Sequence, residues 1–344
     1  MNSQSFPKIE LHRHLEGALR LGTIIELAAQ HGRELPARTA KELAPYAQVL
    51  QPMDSLQAVL DAFDLFQHTF LTEDAVERIA YEAVEDAAND GIKIVELRFS
   101  PDFMARPANL DWDLMMEAML RGVRRGEAAT DVCVGLIAIV SRSYGVQSAH
   151  DTAAFALNWR HELAGFDLAD TENAVPVQEL ARAIEPVHEA GLPLTVHSGE
   201  NTPSSHIRES IDILGAKRIG HGVSLIEDDA LIEQCIKQDV HIEACPTSNL
   251  RTHAVSSLSV HPALPLLKRG VSVSINSDDP GLFAITLSHE FDVAQRDLRF
   301  NDNDLKKATR CALEASFVTE AQKAAYREKF GEWLSLSRLD TNTD

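Results

Sequence analysis

Apolar residues follow two rhythms along this chain. Short runs rich in Val, Ile and Leu predict strands at 9–15, 92–100, 132–140, 163–168, 193–197, 218–220, 241–245 and 271–276. Between them, apolar positions recur every three or four residues. That spacing predicts helices at 74–89, 114–129, 177–190, 228–238 and 262–268. Strands this apolar, alternating with helices, form a parallel sheet covered by those helices. Eight such units predict an α/β fold closed into a (β/α)8 TIM barrel. An open doubly wound sheet is the second architecture, but no G-x-G-x-x-G follows the first strand.

Two stretches exceed a minimal barrel. Residues 20–90 are longer than one crossover requires. Within them Ser55, Leu56, Val59, Leu60 and Phe63 fall on one helical face, with Asp54 placed as a cap. Such a stripe is either packed core or, following the first strand as it does, a lid. Residues 302–336 read as further helices against the barrel. With no Pro/Ser-rich linker and no repeat, residues 1–344 are read as one domain.

Composition narrows the partners. The 344 residues are 44% hydrophobic and carry a net charge of −20. That balance disfavours a nucleic acid polymer or an anionic membrane, which are bound mainly through Lys and Arg. A small neutral substrate suits it better. Cys133, Cys235, Cys245 and Cys311 form no C-x-x-C pair and read as small apolar residues in a reducing compartment. No basic-then-apolar leader opens the sequence and no run is long enough to span a bilayer, so a cytoplasmic location is expected.

Chemistry concentrates at the carboxyl ends of the predicted strands, where barrels of this type place reactive groups. His12 and His14, two apart in LHRHLEG (11–17), project from the same face of the first strand. His197 ends the fifth strand, His221 follows the sixth, and Asp278 and Asp279 follow the eighth. Three imidazoles and one carboxylate are a donor set for Zn²⁺ or another divalent transition ion, which lowers the pKa of a bound water towards about 7. The fourth strand, AGFDLAD, has no lysine that modification could turn into a bridge, so one metal is expected. Glu200, three residues past His197, is placed to donate a proton if desolvation keeps it neutral. His221 would take a proton from the water or steady the hydroxide. One of the paired aspartates would ligate; the other would orient water or substrate.

These residues lie in motifs that resemble the adenosine deaminase family of metal-dependent hydrolases. LHRHLEGALR, ELRFSP (96–101), GFDLAD (165–170), VHSGE (196–200), RIGHG (218–222), CPTSN (245–249) and SINSDDPGLF (274–283) occur in family order. The resemblance implies a (β/α)8 barrel that hydrolyses the exocyclic amine of a purine and releases ammonia. It implies His12, His14, His197 and Asp278 as zinc ligands and Glu200 as the acid that protonates the ring nitrogen beside the attacked carbon. By the same resemblance His221 handles the water's proton, and Asp279 orients water and contacts the purine. Arg98 and Asn249 would support them, and the stretch from Ser55 to Phe63 would be an apolar gate over the substrate.

Three positions depart from the family pattern. Glu16 replaces an aspartate that meets a ribose hydroxyl. Asp170 replaces a glycine whose N–H reaches the purine, so either a side chain there crowds or reshapes the pocket, or the loop has shifted. Val59 replaces an aromatic gate residue. Adenosine, with deoxyadenosine, is the first substrate implied. Adenine, aminodeoxyfutalosine and an N6-modified purine nucleotide are the alternatives within the chemistry. A metallohydrolase of another bond and a silent purine-binding barrel are the alternatives outside it.

Overall fold

The computed structural model describes residues 6–53, 59 and 62–335. Eight parallel strands follow one another around a single sheet in chain order. They are β1 (Lys8–His14), β2 (Ile92–Phe99), β3 (Cys133–Ser141), β4 (Gly165–Ala169), β5 (Leu194–Ser198), β6 (Arg218–His221), β7 (His241–Ala244) and β8 (Ser272–Ile275). Each predicted strand is present, with ends moved by one or two residues. Leu163 and Ala164, for example, lie before β4, although Ala164 N–H already bonds across to Leu136 O on β3 at 2.7 Å.

The barrel closes where the last strand meets the first. A parallel bridge joins Arg13 to Asp278. His14 N donates to Asp278 O and Asp278 N donates to His12 O, both at 2.9 Å. Pairing of β1 with β2 skips a register between Glu10 and Arg13, the mark of a bulge.

Helices surround the sheet. Glu73–Asn89 begins at Thr72, whose hydroxyl accepts from Ala75 N, and Trp112–Ala129 begins at Asp111, which accepts from Asp113 N and Leu114 N. Such caps satisfy N–H groups that a helix cannot satisfy itself. The outward strand faces are apolar: Val95, Leu97, Phe99, Val140, Leu168, Val196 and Ile242 are all buried against the helices. The expected C-terminal helices are Asp302–Ala315 and Glu320–Leu334. Their Leu313, Tyr326 and Leu334 pack with Ile9, Leu11 and Ile94 in a smaller apolar cluster.

The middle of the barrel is ionic. Glu96, Arg98, Asp167, Arg218 and Glu243 are at most 1% exposed. Arg98 pairs with Asp167 at 2.7 Å and Glu243 at 2.8 Å, and Arg218 pairs with Glu96 and Glu243 at 2.6 Å each. A charge buried at that depth persists only when paired and hydrogen-bonded.

In the long segment after β1, the described helices ahead of Glu73–Asn89 are Leu21–Gln30, Ala40–Ala47 and Asp64–Gln67. Val49 N donates to Leu282 O and Met53 N to Arg251 O, so this stretch lies against the loops that follow β7 and β8. Val59 is buried and Phe63 packs on the main core. Leu56 and Leu60, with Asp54 and Ser55, lie outside the described residues. No described helix is long and apolar enough to cross a membrane.

Candidate active site

His12, His14, His197 and Asp278 come together at the carboxyl end of the barrel, their donor atoms all within 4.8 Å of one another. His14 Nε2 is 3.1 Å from His197 Nε2. Asp278 Oδ1 lies 3.1 Å from His12 Nε2 and 3.3 Å from His14 Nε2. The ionic interior aims two of the rings. Glu243 Oε2 takes His12 Nδ1 at 2.7 Å, and Asp167 Oδ1 takes His197 Nδ1 at 3.2 Å. Each carboxylate fixes the tautomer that turns the Nε2 lone pair inwards, as it does behind metal-bound histidines. His12 Nε2 is buried without a hydrogen-bond partner. An orphaned imidazole nitrogen facing two others and a carboxylate fits a divalent cation.

The backbone is bent to make this convergence. Asp278 and His221 sit at φ 63° and 65°. Left-handed conformations are uncommon away from glycine, and they cluster where a site over-determines them. Two glycines give the cluster its room. A Cβ on Gly17 would fall 1.9 Å from Asp279 Oδ1, and one on Gly220 would fall 2.8 Å from His12 Cε1.

Beside the four donors stand the other expected residues. Burial, and next the charge of Asp278, push the Glu200 carboxyl up to about 8, so it is neutral at pH 7. Its Oε1 accepts from Thr252 Oγ1 at 2.8 Å and its Oε2 lies 3.7 Å from His221 Nε2. Burial lowers His221 to about 4, leaving a neutral ring. Its Nδ1 meets Asn249 Nδ2 at 3.0 Å, and Asn249 Oδ1 meets His261 Nε2 at 3.1 Å. Since the amide nitrogen can only donate, Nδ1 is the acceptor and Nε2 carries the hydrogen in the neutral ring. Burial and the adjacent Asp278 hold Asp279 well above the ordinary carboxylate range, and its Oδ1 has no partner.

A cavity of about 650 Å³ opens over these groups. Glu16, Val59, Phe63 and Asp170 all line it, with Phe103 and Tyr144 opposite. Glu16 Oε1 accepts from Ser100 N; its Oε2 is buried and unpartnered, and burial lifts the carboxyl to about 7. Asp170 lines the cavity with its side chain folded back on its own turn. Asp170 takes φ 71°, the conformation glycine would take, and its Oδ1 folds back to accept from Thr171 N at 2.6 Å. Aspartate tolerates this region because its short side chain bonds locally.

Several residues here escaped the sequence reading. Asp167 and Glu243 are carboxylates within apolar strands, and their burial is seen only in the structure. Thr252 and His261 carry no signal apart from the fold. Glu172, on the loop after β4, is another.

A family model described as adenosine deaminase matches residues 7–333. The chain belongs to the adenosine deaminase family. An adenosine deaminase of Shewanella denitrificans is 40% identical over 330 residues, covering 96% of this chain and all of that one. The adenine deaminase structure from Arthrobacter aurescens superposes with a TM-score of 0.88 at 28% identity, over 95% of this chain and 99% of that one. The apo N6-methyl-AMP deaminase of Arabidopsis thaliana gives 0.81 at 28% identity, over 96% and 97%. Membership accounts for the barrel and for a pocket sized to a small molecule. It leaves open which aminopurine fits a pocket carrying Glu16 and Asp170.

Proposed function

We propose that the protein converts adenosine and water to inosine and ammonia. His12, His14, His197 and Asp278 would hold one divalent ion, zinc in the first instance, since three imidazoles and a carboxylate suit it. Bound there, the ion supplies a water activated for attack at neutral pH. The chain's own groups do the rest. Glu200, neutral in its buried position, donates a proton to the ring nitrogen beside the attacked carbon, which weakens the ring's resistance to addition. His221 faces the same point through Nε2 and steadies the incoming oxygen by donating from it. Asp279, neutral with Oδ1 unpaired, contacts the purine. The observation that carries the reading is a neutral buried carboxyl, Glu200, facing the cavity that the four donors share.

Two features favour a nucleoside over the other aminopurines. No described Lys or Arg lines the cavity, so a 5′-phosphate would find no cationic side chain among the described residues. The free Oε2 of Glu16 needs a partner, and a ribose hydroxyl supplies one where a free base would not.

The test is ammonia release from adenosine, deoxyadenosine, adenine and N6-methyl-AMP by the zinc-loaded protein. Adenosine well ahead is expected. Adenine or the nucleotide ahead would move the substrate and keep the chemistry. Glu200→Gln should keep its metal and lose about 10²–10⁴-fold in turnover, the usual contribution of a positioned acid.

A further inference from the structure

The segment carrying Glu200 directs three successive N–H groups at one carboxylate. Glu172 Oε2 accepts from Gly199 N at 2.6 Å, and Oε1 accepts from Glu200 N and Asn201 N at 3.0 Å each. Thr202 Oγ1 donates to Oε2 as a fourth. Successive N–H groups that converge in this way form a concave anion cradle, and Gly199, at φ 70°, supplies the turn it requires. Here the anion is built in. A charged acceptor bonds about twice as strongly as a neutral one, so this carboxylate dominates the placement of residues 199–202. The opposite side of the segment is held by Ser224 N on Gly199 O at 2.9 Å.

Arg142 makes the complementary brace. Its guanidinium donates to Ala169 O and Asp170 O on the β4 side and to His197 O on β5. Arg142 thus fixes carbonyls and Glu172 fixes N–H groups at the same pair of strand ends. Among the described residues, the polar partners of the Glu200 carboxyl itself are Thr252 and His221. Where that carboxyl stands depends on where its backbone is held.

We propose that Glu172 is the positioning residue for Glu200, gripping the N–H groups of residues 199–201 so that the acid meets the substrate ring at bonding distance. The inference rests on the deaminase reading, in which Glu200 is the proton donor. It differs from a merely structural role in what it predicts. Loss of the grip misplaces one proton donor and leaves the metal donors and the cavity wall in place.

The experiment compares zinc-loaded wild type, Glu172→Ala and Glu172→Gln on adenosine, well below their melting temperatures. For Glu172→Ala, kcat is expected to fall about 100-fold, the usual effect of a misplacement near 1 Å. KM should stay within about threefold and zinc content should not change. Formate, small enough to enter the vacated cradle, should restore kcat saturably in Glu172→Ala and do nothing to wild type. In Glu172→Gln the amide turns an NH₂ against one of the donors, so kcat falls, KM holds and formate gives no recovery because the cradle is filled. If Glu172→Ala does not fold, the Glu172→Gln split between kcat and KM decides. Wild-type kcat in either folded variant, or a Glu172→Ala deficit that formate leaves untouched, overturns the proposal. A zinc-loaded wild type that releases no ammonia from any aminopurine overturns the deaminase reading instead, and is seen before any variant is made.

Discussion

At the scale of single residues, the molecule holds carboxyls where water cannot reach them. Glu290 is fully buried; its Oε2 accepts from Thr247 N at 3.0 Å and its Oε1 has no partner. Burial pushes it from an ordinary value near 4.5 to about 7. A carboxyl raised on folding makes the folded state the better proton binder between those two values. The contribution of this one group to stability is therefore greatest below about 4.5 and is lost as pH rises through 7. Glu290→Gln should unfold at higher urea than wild type at pH 8, by at most about 3 kcal/mol, with the advantage shrinking towards pH 5. Parallel unfolding curves at the two pH values would refute this. Metal-type donors were readable as residues because histidines and paired aspartates at strand ends are rare. Asp167 and Glu243 were not, because a single carboxylate in an apolar strand looks the same in sequence whether it faces solvent or a barrel axis.

At the scale of elements, strand ends do the positioning and small residues set the clearances. Gly220→Ala puts a Cβ 2.8 Å from His12 Cε1 and 3.3 Å from His197 Cα. Two donor-bearing strands would have to part. Zinc affinity should weaken on the order of 10- to 100-fold, the range seen when the groups aiming metal donors are disturbed. Competition with a chromogenic chelator measures it, and unchanged affinity would mean the strands yield freely. Strand positions were legible to within a residue or two because apolar runs mark them. What lies between β1 and β2 was less so. Its apolar stripe predicts a buried face, which Val59 and Phe63 bear out. The stripe does not say which surface that face covers. Asp170 shows a second limit: an aspartate in place of glycine changes the residue type and leaves the turn intact.

Over the whole molecule, the interior charges tie the site to the fold. Glu243 alone meets His12, Arg98, Thr195 and Arg218. Glu243→Ala would leave two buried guanidinium groups short of a counter-charge and should cost about 3–5 kcal/mol by chemical denaturation, with zinc retention falling in parallel. A smaller loss would mean that water enters the axis. The fold class was legible from eight strand–helix units. Closure was legible too, from donors placed on the first and after the eighth strand; the register of the seam was not, since no local pattern fixes it. Yet Leu11 N reaches Asn276 Oδ1 across 265 positions, and His14 bonds to the backbone of Asp278 next to it. The donors on β1 are made long before their fourth member, Asp278, in the order of synthesis. Until residue 278 is free, β1 has an open edge and no partner on that side, which invites pairing with a neighbouring chain. The full four-donor set is therefore assembled only when the seam between β1 and β8 closes. A chain broken off before that point has every histidine of the cluster and lacks its carboxylate.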